Sequence, residues 1–235
     1  MNIKKHIPNL ITLLNLLCGC IALVFATQQN FEMAFWFVCL GIFLDFFDGF
    51  FARLFKVSSP LGLQLDSLAD MVTSGVVPGY VMFLLLQGST GADENSPMIP
   101  FLGFIITLGS CYRLAFFNID TRQSDSFIGL PTPANALLIL SLPMIKLGES
   151  LIGLELMINP GFLLAITLFS AYMMNAEIPL FSLKIKKFTL RDNLVVVIFL
   201  LVSLMLLVFF RYAGIPAVIV TYILLSVIMN RSQKR

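Results

Sequence analysis

Long apolar stretches restrict the fold of this 235-residue chain more than any other feature. A helix of about 20 predominantly apolar residues crosses a lipid bilayer. Only 12% of the residues are charged, against about 25% in soluble domains. The sequence therefore predicts an all-α integral membrane protein that forms one membrane domain. We expect about eight transmembrane helices, over residues 9–27, 31–54, 65–86, 98–117, 134–147, 162–182, 194–210 and 215–229.

The basic residues predict the orientation of these helices. If the N-terminus is cytoplasmic, eight spans return the C-terminus to the cytoplasm, and only Lys146 and Arg211 fall near the outer face. An excess of Lys and Arg marks cytoplasmic loops, so we expect a multi-pass protein of the cell (inner) membrane with both termini cytoplasmic. Such a surface is attracted to anionic membrane lipid, and we expect no nucleic-acid partner. The thirteen inner residues are Lys4, Lys5, Arg53, Lys56, Arg113, Arg122, Lys184, Lys186, Lys187, Arg191, Arg231, Lys234 and Arg235.

Four aspartates lie within this apolar background. Asp45 and Asp48 are three residues apart, and Asp66 and Asp70 are four apart, so each pair shares one face of a helix. A short turn at 56–61 makes the two helices neighbours and puts both pairs near the cytoplasmic side. Ionisable groups in a span are costly, and four carboxylates together repel unless protons or cations neutralise them. Oxygen-only ligands favour Mg²⁺, Mn²⁺ or Ca²⁺ over zinc.

The residues between the two pairs suit a phosphate-bearing ligand. Gly49 has no side chain to block a close approach, Arg53 carries a fork of donors, and Ser59 can donate from the turn. Each residue also has a simpler explanation when taken alone. Arg53 could be a cytoplasmic anchor, Gly49 a helix-packing residue, and any single aspartate a transport residue. The spacing of the whole set favours the ligand site.

Residues 45–70 read D-F-F-D-G-F-F-A-R-L-F-K-V-S-S-P-L-G-L-Q-L-D-S-L-A-D. This sequence resembles the signature of the CDP-alcohol phosphatidyltransferases, D-x2-D-G-x2-A-R-x8-G-x3-D-x3-D, at every fixed position. The resemblance implies a six-helix core, usually dimeric, that binds a CDP-linked lipid at the cytoplasmic side. We therefore expect a catalytic core over residues 1–182, followed over 183–235 by a basic connection and two additional spans.

The same resemblance implies roles for individual residues. Asp45, Asp48 and Asp66 correspond to ligands of two divalent cations, and Asp70 corresponds to the general base and a further metal ligand. The segment P-N-L-I-T at 8–12 resembles the nucleotide-binding segment on the first helix of the family. The implied contacts to the CDP-lipid are Pro8, Asn9, Thr12, Gly49, Arg53 and Ser59.

Two later segments resemble the phosphatidylserine synthase branch of the family. They are Y-R-L-A-F-F-N at 112–118 and F-I-G-L-P-T-P-A-N-A at 127–136. This likeness implies CDP-diacylglycerol as the donor and L-serine as the acceptor. Arg113 and Asn118 are the expected acceptor contacts, because a serine carboxylate needs a cationic partner. The sequence departs from the branch at Phe116, where a basic residue is usual, and at V-T-S-G (72–75), where V-S-F-G is usual.

Two other functions compete with this interpretation. A sibling enzyme could use glycerol 3-phosphate or an inositol phosphate, but such an acceptor needs several basic residues, and only Arg113 and Arg122 lie near the fourth span. A divalent-cation transporter could also place aspartates in the membrane. We expect a transporter to spread its carboxylates through the bilayer, whereas here all four cluster on two adjacent helices. The G-x-x-x-G sequence at 75–79 could form a dimer face or could pack inside the protein, and the sequence does not decide between the two.

Overall fold

The structure, a computed structural model, describes residues 6–57, 59–90, 98–120, 128–147, 159–181 and 194–233. These residues are almost entirely helical, and their one β-bridge is an isolated pair between Ile128 and Pro179. The prediction of an all-α membrane protein is confirmed. Lys4, Lys5, Arg122 and the whole of the basic connection at 183–193 lie outside the described residues.

Nine α-helices account for most of the described chain. Three short segments of other helical types join or extend them: a π-helical segment at Met71–Val76, and 3₁₀ turns at Ile99–Phe104 and Arg211–Ala213. The α-helices are α1 (Ile7–Thr27), α2 (Phe31–Phe55), α3 (Pro60–Asp70), α4 (Val77–Thr90), α5 (Ile105–Phe117), α6 (Thr132–Leu147), α7 (Pro160–Asn175), α8 (Leu194–Phe210) and α9 (Gly214–Gln233).

Five continuous helical segments are long and apolar enough to cross a membrane, and two further apolar helices are shorter. The five are Ile7–Thr27, Phe31–Phe55, Pro60–Thr90, Ile99–Phe117 and Leu194–Asn230, and the shorter two lie at Thr132–Ile145 and Pro160–Asn175. All eight predicted spans therefore have a helical counterpart, because the last of the five contains two of them. The third counterpart begins earlier than predicted, at Pro60 instead of residue 65, and the sixth ends earlier, at Asn175 instead of residue 182.

The segment Leu194–Asn230 is a helical hairpin. The chain reverses after Arg211, which has a φ of 48°. The turn is tight at Gly214, where a Cβ would lie 2.5 Å from the carbonyl oxygen of Leu206. The rings of Phe199 and Tyr222 then meet across the two arms at 5.5 Å. The last two predicted spans are thus the antiparallel helices α8 and α9.

The connection between α2 and α3 is short because both of its ends are fixed. Lys56 adopts a left-handed conformation (φ 54°) that ends α2. Ser59 begins α3, since its side chain accepts a hydrogen bond from the backbone N–H of Gly62 at 3.0 Å, and Pro60 follows at the first helical position. The two helices that carry the aspartates are therefore consecutive and joined by a short turn, as the sequence predicted, although both pack mainly against α1.

The G-x-x-x-G sequence packs inside the molecule. A Cβ on Gly75 would lie 3.1 Å from the Cβ of Ser110, and a Cβ on Gly79 would collide with the side chain of Thr107. Both neighbours belong to α5, and the Thr107 hydroxyl donates to the Gly75 carbonyl at 3.0 Å. These glycines therefore allow α5 to approach the π-helical segment and α4.

Candidate active site

Three carboxylates converge where α2 meets α3. One oxygen each of Asp45, Asp48 and Asp66 lies within 4.8 Å of the other two. Asp48 is buried, and Asp45 and Asp66 are partly buried. The i, i+3 spacing on α2 presents its two aspartates on one face, and the short connection turns Asp66 towards them. The structure thus brings together three of the four predicted aspartates.

This trio suits a divalent cation. Its donor set consists of carboxylate oxygens alone, which is the chemistry that hard cations prefer. One oxygen of Asp45 (Oδ1) is buried and accepts no hydrogen bond. Like charges this close repel, and a cation between them would remove the repulsion and partner the buried oxygen. The Thr12 hydroxyl donates to Oδ2 of Asp48 and so fixes that carboxylate.

Asp70 is not one of the three carboxylates that lie within 4.8 Å of one another, although it shares α3 with Asp66 and interacts electrostatically with Asp45. It is buried, at 8% exposure, and its Oδ1 accepts a hydrogen bond of 3.2 Å from the side-chain amide of Asn15. Asn15 is fully buried, and its backbone carbonyl accepts a hydrogen bond from the Thr73 hydroxyl. The fourth aspartate is therefore held by α1 and the π-helical segment.

Asn15 was not among the predicted site residues. The sequence did contain a signal for Asn15, because a polar side chain within an apolar span is costly and is by default a candidate functional residue. Asn15 also follows Thr12 by three residues, so both lie on the face of α1 that meets the aspartates. The partnership with Asp70, 55 residues away, could not be deduced from spacing along the chain.

A cleft of about 180 Å³ opens beside the trio, between the first turns of α1, the last turns of α2 and the start of α3. Five of the six predicted CDP-lipid contacts line it: Pro8, Asn9, Thr12, Gly49 and Ser59. The sixth, Arg53, is exposed near its rim. The structure therefore gathers the segment at 8–12 and the residues between the aspartate pairs around one opening.

Two glycines of the cleft have different surroundings. A Cβ on Gly49 would meet no atom nearer than Nη2 of Arg53, at 3.9 Å. Packing within the protein therefore does not require glycine there, whereas a ligand close to the helix would. A Cβ on Gly62 would lie 3.3 Å from both Asn9 Oδ1 and Ser59 Oγ. Gly62 also lines the cleft and was not among the predicted site residues.

The two predicted acceptor residues occupy separate places. Arg113 is buried, at 6% exposure, with its guanidinium 5.5 Å from the centre of the Phe117 ring, and it lines a second cleft. Asn118 donates instead to the Ser67 hydroxyl at 2.8 Å. Phe116, the departure from the branch pattern, also lines the second cleft.

The fold and this site define a helical membrane protein with a cluster of carboxylates in a cleft at the ends of three helices. Residues 5–172 match the sequence model of the CDP-alcohol phosphatidyltransferase family, so the chain belongs to this family of membrane-bound transferases. Helices α8 and α9 follow the matched region.

Several relatives carry the name CDP-diacylglycerol–serine O-phosphatidyltransferase. The chain is 36% identical to the one from Bacillus subtilis over 133 residues, which are 55% of this chain and 70% of that relative. It is 37% identical to the one from Helicobacter pylori J99 over 134 residues, which are 56% of this chain and 54% of that relative. With the Saccharomyces cerevisiae protein the identity is 32% over 153 residues, 58% and 53% of the two chains. The match thus spans about half the length of the second and third relatives.

Proposed function

We propose that this protein is a phosphatidylserine synthase, which transfers the phosphatidyl group of CDP-diacylglycerol to the hydroxyl of L-serine and releases CMP. The observation that carries the proposal is the convergence of Asp45, Asp48 and Asp66 beside the cleft that the predicted nucleotide contacts line. Relatives named for the serine reaction support the choice of acceptor.

The cleft would bind the CDP end of the donor. Asp45, Asp48 and Asp66 would hold two divalent cations, Mg²⁺ or Mn²⁺, which neutralise the pyrophosphate and stabilise the charge on departing CMP. Arg53 would add donors to a phosphate from the rim, and Gly49 would let the nucleotide lie against α2. The acyl chains would remain in the lipid.

Asp70 would act as the general base. Its Oδ1 is held by Asn15, and it is not one of the three clustered carboxylates, so it is better placed than they are to take up a proton. The serine Oγ attacks the lipid-side phosphorus, its proton passes to Asp70, and the bond from that phosphorus to the bridging oxygen breaks. The products are phosphatidylserine and CMP.

Three further features belong to the proposal. The active site faces the cytoplasm of the cell membrane, because the α2–α3 turn carries Lys56 and lies next to Arg53. The functional unit is a homodimer. The catalytic core comprises the six spans up to residue 182, to which the C-terminal hairpin is added.

Product formation by the purified protein tests the proposal. CDP-diacylglycerol and Mg²⁺ or Mn²⁺ would be supplied with serine, glycerol 3-phosphate or an inositol phosphate as acceptor. We expect CMP and phosphatidylserine with serine, and little product with the phosphorylated acceptors. Asp45→Asn and Asp66→Asn should each lower the activity and raise the metal concentration needed for half-maximal rate. If CMP is released only with a phosphorylated acceptor, that compound and not serine is the acceptor. Metal flux in proteoliposomes without CDP-lipid would instead support a transporter.

A further inference from the structure

The second cleft has the composition of a site for a small zwitterion. It has a volume of about 160 Å³, which is below the range of about 300–1,000 Å³ for sites that hold drug-sized ligands. Arg113 contributes a buried cation from α5, and Glu177, just after α7, contributes an exposed carboxylate. The cleft therefore presents one group suited to a carboxylate and one suited to an ammonium.

Both segments that resemble the serine branch contribute to this cleft. Tyr112, Arg113 and Phe116 come from the first segment, and Ile128 comes from the second. By contrast, five of the eight fixed residues of the superfamily signature line the other cleft: Asp48, Gly49, Ala52, Gly62 and Asp66. The division suggests that one cleft serves the donor that the family shares and that the other serves the acceptor that distinguishes the branch.

The second cleft lies near the level of Asp70 along the helix axes. Helix α5 runs antiparallel to the segment that begins with α3, since Ser110 lies opposite Gly75 and Asn118 lies opposite Ser67. Between these two pairs, Arg113 is level with Val72, next to Asp70. An acceptor held by Arg113 is therefore within about one helical turn of the proposed base along the helix axes.

Glu177 belongs to a segment, residues 176–181, that we call the strap. Hydrogen bonds hold the strap on two sides. On one side the backbone N–H of Gly129 donates to the Ile178 carbonyl at 2.9 Å. On the other side α9 holds the strap through side chains. The Tyr222 hydroxyl donates to the Phe181 carbonyl at 2.9 Å, and the amide of Asn230 donates to the Pro179 carbonyl.

We propose that Glu177 binds the ammonium group of the amino-acid acceptor while Arg113 binds its carboxylate, and that the α8–α9 hairpin positions Glu177 by holding the strap. This inference rests on the proposed function. It gives the hairpin, which lies beyond the family match, a role in acceptor recognition. With Phe116 in place of a basic residue, the described lining of the cleft carries one cation, Arg113, and one anion, Glu177, which matches the charges of a zwitterion.

Acceptor discrimination by Glu177→Gln tests the ammonium contact. The two acceptors are L-serine and 3-hydroxypropionate, which keeps the hydroxyl and the carboxylate but lacks the ammonium. We expect KM for serine to rise about tenfold or more and KM for CDP-diacylglycerol to stay unchanged. The preference for serine over 3-hydroxypropionate should fall by a similar factor. Glu32→Gln, at the distant start of α2, is the matched control and should behave as wild type.

Tyr222→Phe tests the strap, because it removes only the hydroxyl that holds Phe181. We expect a rise of a few-fold in KM for serine, with KM for CDP-diacylglycerol and the melting temperature nearly unchanged. Tyr212→Phe, in the turn between α8 and α9, is its control and should leave all three values as in wild type.

The outcomes separate the inference from the function on which it rests. Wild-type protein that makes no phosphatidylserine would overturn both. Wild-type activity with unchanged acceptor preference in Glu177→Gln would overturn the inference alone, and so would an equal loss with both acceptors. If Asp120→Asn loses the preference for serine and Glu177→Gln does not, the ammonium contact belongs to Asp120, which interacts electrostatically with Arg113.

Discussion

Asp66 and Asp70 are one turn apart on α3, yet their side chains make different polar contacts. Asp66 lies with the carboxylates of α2, while Asp70 accepts a hydrogen bond from Asn15 of α1. A carboxylate that neutralises a cation is a poor proton acceptor, whereas one held by an amide keeps an oxygen for a proton. This difference is the physical basis for assigning metal binding to one residue and base catalysis to the other.

Asp70→Asn should abolish turnover without preventing donor binding. The amide cannot accept the serine proton, and general-base catalysis contributes about 10²–10⁴-fold to a rate. We expect the rate of CMP release to fall by at least about a hundredfold. Binding of CDP-diacylglycerol, followed by its protection of the protein against thermal unfolding, should be largely retained. Near-normal turnover in this variant would exclude Asp70 as the base.

Asn15→Leu should slow the reaction while preserving the donor site. The change removes the amide that holds Asp70 and keeps a buried side chain of similar size. A hydrogen bond to a charged group contributes about 1.5–3 kcal/mol, so kcat should fall by about ten- to a hundredfold. KM for CDP-diacylglycerol should change little. Leu13→Ala, an exposed position on α1, is the control, and equal losses in the two variants would indicate a purely structural role for Asn15.

The same residues show what the sequence could and could not predict of the site. Four aspartates at i, i+3 and i, i+4 spacing on adjacent helices had to share one side of the molecule, and three of them meet. Asn15 was missed because its contact with Asp70 depends on how α1 rotates against α3. No periodicity within one helix encodes that rotation.

At the scale of the helices, two glycines differ in what a side chain at their position would meet. A Cβ on Gly19 would lie 3.0 Å from the backbone of Thr73, so this glycine lets α1 approach the π-helical segment. A Cβ on Gly49 would enter open space beside the cleft. The fold requires glycine at the first position, whereas under the proposed function the bound nucleotide requires it at the second.

Gly49→Ala should therefore weaken donor binding, whereas Gly19→Ala should lower the stability of the fold. Gly49→Ala should keep the wild-type melting temperature in detergent but raise KM for CDP-diacylglycerol by about tenfold, since overpacking costs about 1–3 kcal/mol. Gly19→Ala should lower the melting temperature, because α1 must move away from Thr73. A stable Gly49→Ala protein with wild-type donor affinity would argue against a nucleotide at α2.

The π-helical segment after Asp70 was not predicted. Its sequence, M-V-T-S-G-V, is typical of the middle of a membrane span and contains no residue that ends an α-helix. Its contacts lie in other elements, since Thr73 donates to Asn15 of α1 and Gly75 accepts from Thr107 of α5. Such widened turns are often found at functional sites, and here one directly follows the proposed base. Helix type at this point is thus set by tertiary packing, which the local sequence does not report.

At the scale of the whole molecule, hydropathy predicted which segments are helical, but not how the last of them serves the site. Residues 194–210 and 215–229 were expected to be additional spans without an assigned role. Their hairpin instead reaches back to the strap through Tyr222 and Asn230. Contacts between residues 41 and 51 positions apart, made through backbone carbonyls, leave no pattern in the sequence.

The orientation of the whole molecule leads to the last prediction. Gln29 and Lys56 lie in the turns at opposite ends of α2, and both are exposed. Because basic residues favour the cytoplasmic face, Lys56 and the neighbouring cleft should face the cytoplasm and Gln29 the outside. In a background without the four native cysteines, a membrane-impermeant maleimide should label Gln29→Cys in intact cells. Lys56→Cys should be labelled only in inverted vesicles.

Catalytic activity retained in the cysteine-free background is the control for this experiment. The reversed labelling pattern would show that the carboxylate trio lies at the outer face. A site there would have no access to the CDP-diacylglycerol and serine on the cytoplasmic side. The proposed reaction therefore requires Lys56 to be cytoplasmic, and labelling tests that requirement without any assay of turnover.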